Sequence, residues 1–319
     1  MQPPVEPLSK NTAGGADSKN VERRLYHRCQ AYLLDIKFKY PMEAGVALKP
    51  IVKNSMLALA VAGLVACETV QTTQGGAVGI DRKQQMLVSS QEMESQAGKE
   101  YAQVLADARN KGQLNRNAAQ AQRVKAIANR LIPQTGVFRP DALKWNWEVN
   151  VLASDETNAW CMPGGKIAVY AGLIDKLKIT DDELAAVMGH EIAHALREHA
   201  RERASQQVVA NSAISIGAAL LGLGDLGKQS AQYAYMGLMG LPNSRANETE
   251  ADRIGVELAA RGGYDPKAAV TLWQKMSRLG GEEPAKFMST HPSSADRIAD
   301  LTVYAQRVEP LYQQTRKTR

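Results

Sequence analysis

From residue 81 onward, the chain combines one-sided helical patterns with two short β-rich stretches. Residues 81–131 are polar and rich in Ala, Gln and Arg, with Leu and Val spaced for one-sided helices. Residues 144–152 alternate apolar and polar side chains, and residues 166–171 are again β-rich. This pattern predicts two strands, with a loop at 158–165 between them.

The second half of the chain has a mainly helical pattern. Asp181 to Ala204 predicts one strong helix, because Thr180 can cap it and three acidic residues occupy its positively polarised first turn. Further helices are predicted at residues 247–261, 266–279 and 294–308. This order of elements indicates an α+β fold that is mostly helical and has a small sheet.

The apolar stretch at residues 208–223 allows two interpretations. One is a transmembrane span, although Asn211, Ser212 and Ser215 interrupt its apolar character. The other, which we favour, is a helical hairpin that covers a cleft.

Residues 42–67 have the layout of an export signal. Lys49 and Lys53 give a basic start, residues 56–65 form a short apolar run, and the tetrapeptide LVAC at Cys67 resembles the bacterial lipobox, in which the cysteine is lipidated. The run of about ten residues is too short for a stable membrane span, which needs about 20. The alternative is a short buried helix that ends at an ordinary cysteine.

The export signal sets the predicted domain boundaries and changes the interpretation of the charge. Residues 1–66 hold nine of the 39 Lys and Arg residues and five of the 33 Asp and Glu residues, so the formal net charge of +6 falls to +2 without them. Nucleic-acid binding therefore loses its electrostatic support. We interpret the segments as a spurious or disordered extension (1–41), a lipoprotein signal peptide (42–66), a tether (67–90), the working domain (91–310) and a polar tail (311–319).

An HExxH motif, His190 to His194, lies inside the predicted helix over 181–204. Its two histidines lie roughly 40° apart on the helical wheel, so both imidazoles could bind one metal ion. Glu191 could then contact a water molecule at the metal without occupying a ligand position. The same wheel places His199 about 180° from His190, and we interpret it as a solvated surface histidine.

A catalytic zinc needs a third protein ligand, and Glu248 on a later predicted helix could supply it. Asp252 lies one turn further along and faces the same way. It could accept the free ring N–H of a ligand histidine, with His190 as the expected donor. Glu250 points away and is interpreted as solvated. The alternative for Glu248 and Asp252 is ordinary ion pairing with neighbouring arginines on the helix surface.

Four segments together resemble one known family. HEIAH at 190–194, SRANETEAD at 244–252, NAWCMPGGKIAVYAGLI at 158–174 and STHP at 289–292 are similar to the family-forty-eight zinc metallopeptidases, which are gluzincins. The resemblance runs from about residue 90 to 308 in the expected order. It implies a mostly helical gluzincin domain with one zinc ion (Zn2+) per chain, and a small sheet whose edge strand borders the active-site cleft.

The resemblance also implies a role for each matching residue. His190, His194 and Glu248 would be the zinc ligands, Glu191 the catalytic base that activates water at the zinc, and Asp252 a supporting residue behind the ligands. The family's PGG segment leads into an edge strand whose unpaired backbone groups would bind extended substrate. A plain core strand is the alternative. The residues of this strand are Gly165, Lys166, Ile167, Ala168 and Val169.

His291 precedes Pro292 in a predicted loop. In some relatives the corresponding histidine reaches the metal centre. Here it could complete a closed, latent site as a fourth ligand, or it could act catalytically by stabilising the oxyanion of the tetrahedral intermediate. An ordinary loop histidine is the third alternative.

The sequence therefore predicts a zinc metalloendopeptidase that acts on polypeptides, expected to be misfolded or envelope proteins. We expect an outer-membrane lipoprotein that faces the periplasm, held to the membrane by a lipid at Cys67, with the outer-membrane assembly machinery as a candidate partner. One alternative is an assembly or chaperone-like lipoprotein with a latent or structural zinc site. The other is a protease of the cytoplasm or inner membrane.

Overall fold

A computed structural model describes residues 68–239, 245–278, 286–291 and 295–317. The predicted extension, the signal peptide and Cys67 lie outside the described residues. The elements in chain order are β1 (Glu68–Val70), β2 (Gln84–Met86), α1 (Ser90–Asn110), α2 (Ala118–Leu131), two 3-10 helices (Ile132–Val137 and Pro140–Lys144), β3 (Glu148–Leu152), β4 (Ala159–Met162), β5 (Lys166–Tyr170), α3 (Ala171–Leu177), α4 (Asp181–Leu196), α5 (His199–Leu220), α6 (Asp225–Met239), α7 (Arg245–Arg261), α8 (Ala268–Arg278), α9 (Lys286–Thr290) and α10 (Ala295–Lys317). The mostly helical α+β class predicted from the sequence is confirmed.

Helix α4 lies at the centre of the domain and is buried from Glu183 to Leu196. Its first turn is closed by a capping box: the Thr180 hydroxyl accepts from the Glu183 backbone N–H, and the Glu183 carboxylate accepts from the Thr180 N–H. Helix α7 and strand β4 pack against it. The cap predicted at Thr180 is therefore present, and it fixes the start of the helix that carries the HExxH motif.

The predicted single helix over 181–204 is two helices. Helix α4 ends at Leu196, and Glu198 has a left-handed backbone with a φ of 50°. The chain therefore changes direction before α5 begins at His199. A wheel drawn through one continuous helix cannot give the position of His199, because the helix does not continue.

The main sheet has the order β3-β5-β4, with β5 parallel to β3 and antiparallel to β4. Two predictions are corrected here. The predicted loop at 158–165 contains strand β4, and the predicted edge strand at Gly165 to Val169 is wrong. Strand β5 is central because its backbone pairs on both sides, so the edge strand packed against α4 is β4.

The apolar stretch at 208–223 forms the end of α5 and the turn after it, and α6 follows as the second arm of a helical hairpin. Within the described ranges, no helix is both long enough and apolar enough to cross a membrane. Whether the hairpin covers a cleft stays a prediction.

Residues 68–88, here called the N-terminal strap, are packed on the domain instead of forming the predicted tether. Strands β1 and β2 pair antiparallel, and β2 contacts α5. Thr73, Val78 and Gln84 of the strap are buried. Its polar composition suggested a solvated linker, but several of its polar groups are used in buried hydrogen bonds.

The predicted polar tail at 311–319 is helical as far as Lys317, because α10 continues through Pro310. Leu311 and Tyr312 pack partly against the core. This packing explains why the helix extends beyond the predicted end at residue 308.

Candidate metal centre

Helix α4 brings the two histidines of the HExxH motif together on its buried face. The Nε2 atoms of His190 and His194 lie 3.0 Å apart. Both side chains are buried. The spacing of one helical turn therefore produces the convergence that the sequence predicted.

Glu248 reaches the same point from α7. Its Oε2 lies 3.5 Å from His190 Nε2, and its Oε1 lies 3.4 Å from His194 Nε2. The carboxylate is buried. The three residues predicted as metal ligands are thus brought together by two helices that pack on each other.

His291 is the fourth donor in this cluster. Its Nδ1 lies 3.1 Å from His190 Nε2 and 3.0 Å from Glu248 Oε1. Its ring stacks on Phe287 of α9, with the centroids 4.4 Å apart. The structure therefore excludes an ordinary exposed loop histidine, since the side chain is buried among the other three donors.

These four side chains fit a zinc ion. Four donors, each about 2.0–2.1 Å from a tetrahedral zinc, lie about 3.3 Å from one another. The donor pairs described above lie 3.0–3.5 Å apart. When His190 and His194 carry their ring hydrogens at Nδ1, where Asp252 and His199 are the partners, both Nε2 lone pairs face the other donors. Two lone pairs that converge in this way can bind one shared cation.

Asp252 lies behind His190, as predicted. The His190 Nδ1–H donates to Asp252 Oδ1 over 2.9 Å, which fixes the ring orientation and leaves Nε2 for the metal. Burial raises the pKa of Asp252 to about 6, although the Arg297 guanidinium opposes this rise.

Arg297 on α10 is a residue that the sequence reasoning missed. It donates to Glu248 Oε2 over 2.9 Å and to Asp252 Oδ1 over 2.7 Å, and it lies 3.5 Å over the ring of Trp273. It therefore orients a metal-ligand carboxylate and a supporting carboxylate together. Its distance along the chain from both partners left no spacing signal in the sequence.

Burial sets the protonation of the cluster. It lowers the pKa values of His190 and His194 well below the ordinary range, so both rings are neutral. Burial would raise the pKa of Glu248, but the neighbouring His194 and His291 side chains outweigh it and hold that pKa low. Neutral imidazoles and an ionised carboxylate are the forms that bind a metal.

Glu191 faces the cluster but is not one of its four donors. Its Oε1 is buried and has no hydrogen-bond partner among the described residues, and it lies 3.4 Å from His291 Nε2. Burial raises the pKa of Glu191 to about 7, and a backbone hydrogen bond from Cys161 opposes this rise. A buried carboxylate with one free oxygen is suited to hold and release a proton.

The outer backbone edge of strand β4 faces this carboxylate. The carbonyls of Asn158 and Met162 accept hydrogen bonds from residues at either end of β5, so they face that strand. Because backbone groups alternate along a strand, those of Ala159 and Cys161 face the opposite side. The backbone contact between Cys161 and Glu191 agrees with this direction.

Two residues interpreted as solvated are buried beside the cluster. His199 is 1% exposed, and its Nδ1 lies 2.8 Å from His194 Nδ1. Glu250 is 5% exposed, and its Oε2 lies 3.1 Å from His199 Nε2. Both predictions are wrong, because the reversal at Glu198 turns the start of α5 back towards α4 and α7.

Residues 118–305 match the model of peptidase family M48. The chain is 38% identical over 180 residues to the mitochondrial metalloendopeptidase OMA1 of Schizosaccharomyces pombe, which covers 56% of this chain and 51% of that protein. The Arabidopsis thaliana protein of the same name is 38% identical over 153 residues, covering 48% of this chain and 30% of that one.

A bacterial relative is also found. The beta-barrel assembly-enhancing protease of Escherichia coli (strain K12) is 28% identical over 190 residues, covering 56% of this chain and 38% of that protein. The matched region therefore spans about half of these curated relatives or less.

Proposed function

This chain belongs to peptidase family M48, and on that basis we propose that it is a zinc-dependent endopeptidase that hydrolyses peptide bonds in protein substrates. One observation carries the proposal. His190, His194 and Glu248 converge within metal-binding distance, and the buried carboxylate of Glu191 lies beside them with one oxygen free. Metal ligands next to an available base are the requirement for metal-assisted hydrolysis.

When bound, zinc supplies a Lewis acid that polarises a carbonyl oxygen and makes water acidic enough to attack at neutral pH. The protein supplies the rest. His190, His194 and Glu248 would hold the ion, and Asp252 would fix the tautomer of His190 through the contact with Nδ1. Glu191 Oε1 takes a proton from the attacking water and returns it to the nitrogen of the leaving amine.

The substrate backbone would bind along β4. The outer edge at Ala159 and Cys161 is not paired with another described strand, and it offers backbone carbonyl groups next to Glu191, while its N–H groups donate to Asn158 Oδ1 and to the Glu191 carboxylate. Backbone pairing of this kind accepts an extended peptide largely regardless of its sequence. The scissile bond would then lie between the edge strand and the metal ligands.

His291 would hold the site in a closed state. With its Nδ1 beside His190 and Glu248, the ion would have four protein donors and no open position. Activity would then require His291 to leave the ion. This arrangement favours the role of a fourth ligand over that of an oxyanion stabiliser. Family membership does not favour the alternative of an assembly protein with a structural zinc.

Substitution of Glu191 by Gln tests the mechanism. The amide keeps the shape but cannot take a proton, so we expect kcat/KM for an unfolded protein substrate to fall by about 100-fold or more, with bound zinc and thermal stability unchanged. Metal content and cleavage should be measured on the same preparation. His194→Ala should instead lose both metal and activity. Proteolysis that persists in a clean Glu191→Gln preparation contradicts the assigned role.

The cellular location and the natural substrates belong to the same proposal. We place the protein in the bacterial envelope as a periplasm-facing outer-membrane lipoprotein that acts on misfolded or envelope proteins and cooperates with the outer-membrane assembly machinery. The lipobox-like LVAC at Cys67 and the assembly-enhancing protease of E. coli support this, whereas the OMA1 relatives are mitochondrial. Labelled palmitate should be incorporated into the native protein but not into the Cys67→Ser variant. A native protein that takes up no label would contradict the proposed lipid anchor.

A further inference from the structure

His199 is a buried ring that the hydrolysis mechanism does not use. It is the first residue of α5, directly after the left-handed Glu198, and this reversal turns its ring onto the back of His194. The two Nδ1 atoms lie 2.8 Å apart, and His199 Nε2 lies 3.1 Å from Glu250 Oε2. The three side chains therefore form a chain of contacts that leads away from the metal donors.

The positions of the hydrogens in this chain follow from the metal site. His194 turns its Nε2 towards the other donors, so a neutral His194 carries its hydrogen on Nδ1. That N–H can donate only if His199 Nδ1 is a bare acceptor. The hydrogen of His199 is then on Nε2, where it donates to the Glu250 carboxylate. A single tautomer of each ring satisfies both contacts.

The arrangement parallels the one behind the other histidine ligand. His190 donates its Nδ1–H directly to Asp252, and Asp252 is fixed by Arg297. His194 reaches a carboxylate through one additional ring, and that carboxylate is also fixed by arginines. Both imidazoles at the metal are thus oriented by a hydrogen bond that ends on an ionised group.

The N-terminal strap contributes one of these arginines. Arg82 pairs with Glu250 and, through both Nη atoms, with Glu202 at 2.6 and 2.9 Å. Arg197 donates to Glu250 Oε2 over 2.8 Å and to the backbone carbonyl of Arg82 over 2.8 Å. The strap lies outside the region that matches the family model. It nevertheless fixes the Glu250 carboxylate, at which the series of hydrogen bonds from His194 ends.

We propose that His199 and Glu250 are positioning residues for the metal ligand His194, and that the N-terminal strap completes their support through Arg82. The inference rests on the metal centre of the proposed function. Its main measurement is metal binding, so a loss of proteolysis by itself decides nothing about it.

The experiment measures zinc affinity of the full chain by competition with a chromophoric chelator, and the visible spectrum of the cobalt-substituted protein. His199→Phe fills the space but cannot accept the His194 N–H, so zinc should bind about 10- to 100-fold more weakly and the cobalt spectrum should shift. His199→Asn carries an amide oxygen that can accept in place of Nδ1. It should restore most of the affinity, which a purely space-filling role would not allow.

Arg82→Met and Glu257→Gln form a matched pair at the strap. Arg82 is at the edge of the network, with a side chain 35% exposed, and its substitution should weaken zinc binding less than His199→Phe does. Glu257 on α7 accepts a hydrogen bond from the Val78 N–H of the strap over 2.9 Å. It does not belong to the series of contacts that joins Glu250 and His199 to His194. Glu257→Gln should leave zinc affinity unchanged.

The outcomes separate the inference from the proposed function. A wild-type chain that binds no zinc removes the metal centre itself. A folded His199→Phe protein with wild-type affinity overturns the role of His199, as does an equal loss in the Phe and Asn variants. If His199→Phe does not fold, the pair at the strap decides: equal zinc affinities in Arg82→Met and Glu257→Gln overturn the proposal.

Discussion

The histidines of this site have different roles because the ring nitrogen that faces away from the metal donors has a different partner in each. His190 donates to Asp252, and His194 contacts His199, so the Nε2 atom of each ring faces the other donors of the candidate metal site. His291 instead contributes Nδ1, and its Nε2 lies 3.4 Å from Glu191. His291 is therefore the donor that also contacts the proposed base.

Replacing His291 by Ala should increase proteolytic activity. The substitution removes the fourth donor and the ring that lies 3.4 Å from the free oxygen of Glu191, while three protein ligands remain. A closed state favoured by only about 1.4 kcal/mol would hold back about nine molecules in ten, so kcat/KM should rise by about tenfold. Cleavage of an unfolded protein substrate by the zinc-loaded variant measures this.

The opposite result would identify the other role of His291. If kcat falls while KM and bound zinc stay constant, the side chain stabilises the transition state instead of closing the site. Thermal unfolding of the metal-free variant controls for lost packing, because the His291 ring stacks on Phe287.

Residue positions that are set within one helix could be predicted from the sequence. His190 and His194 are one turn apart on α4, and Glu248 and Asp252 are one turn apart on α7, so helical periodicity places each pair on one face. The position of His199 could not be predicted from the sequence, because it depends on one left-handed residue between two helices. Arg297 and Glu250 depend on tertiary packing, which a helical wheel does not contain.

At the level of elements, the metal centre depends on the close crossing of α4 and α7. Gly189 and Gly255 lie at this crossing. A Cβ atom at Gly255 would lie 2.7 Å from the backbone nitrogen of His190, and one at Gly189 would lie 2.6 Å from the Gly255 carbonyl oxygen. The absence of side chains lets the two helices approach closely enough for Glu248 to reach the histidines.

Gly255→Ala should destabilise the protein and weaken zinc binding. Alanine favours a helix by up to about 1 kcal/mol over glycine. Overpacking against backbone costs about 1–3 kcal/mol, so the clash should outweigh that gain. Urea unfolding should show a lower free energy of unfolding, and chelator competition a lower zinc affinity, because α7 is pushed away from His190.

Gly98→Ala is the matched control. Gly98 lies inside α1, and a Cβ atom there meets nothing within 4 Å. The Gly98→Ala protein should gain the higher helix propensity of alanine without a clash. Its free energy of unfolding should rise by up to about 1 kcal/mol, and its zinc affinity should stay unchanged. A Gly255→Ala protein that behaves like Gly98→Ala would show that the crossing tolerates a methyl group.

The elements that the sequence reasoning missed are those whose side-chain pattern is ambiguous. Strand β4 has only four residues and no strict alternation of apolar and polar side chains, so its stretch resembled a loop. Strand β5 is buried on four of its five residues, which fits a central strand better than an edge. The strap is polar, and only the buried partners of its side chains explain its order.

Across the whole molecule, the metal donors come from segments far apart in the chain. His194 and Glu248 lie on two different helices, and His291 follows the short helix α9. Arg297 on α10 links the last helix to the same cluster. An ion bound to all these segments cross-links the core of the folded chain, and the unfolded chain offers no preformed site for it.

Removing the metal should therefore lower the melting temperature of the whole domain. At a free zinc concentration about 100-fold above Kd, binding adds about 2.7 kcal/mol to the free energy of unfolding, which corresponds to about 5–10 °C for a domain of this size. Scanning calorimetry with and without a chelator measures the shift. His194→Ala should melt at the same temperature in both conditions, because it has lost a ligand that the ion needs. If the chelator does not change the melting temperature of the wild-type chain, the four donors are held together by their own hydrogen bonds, without metal.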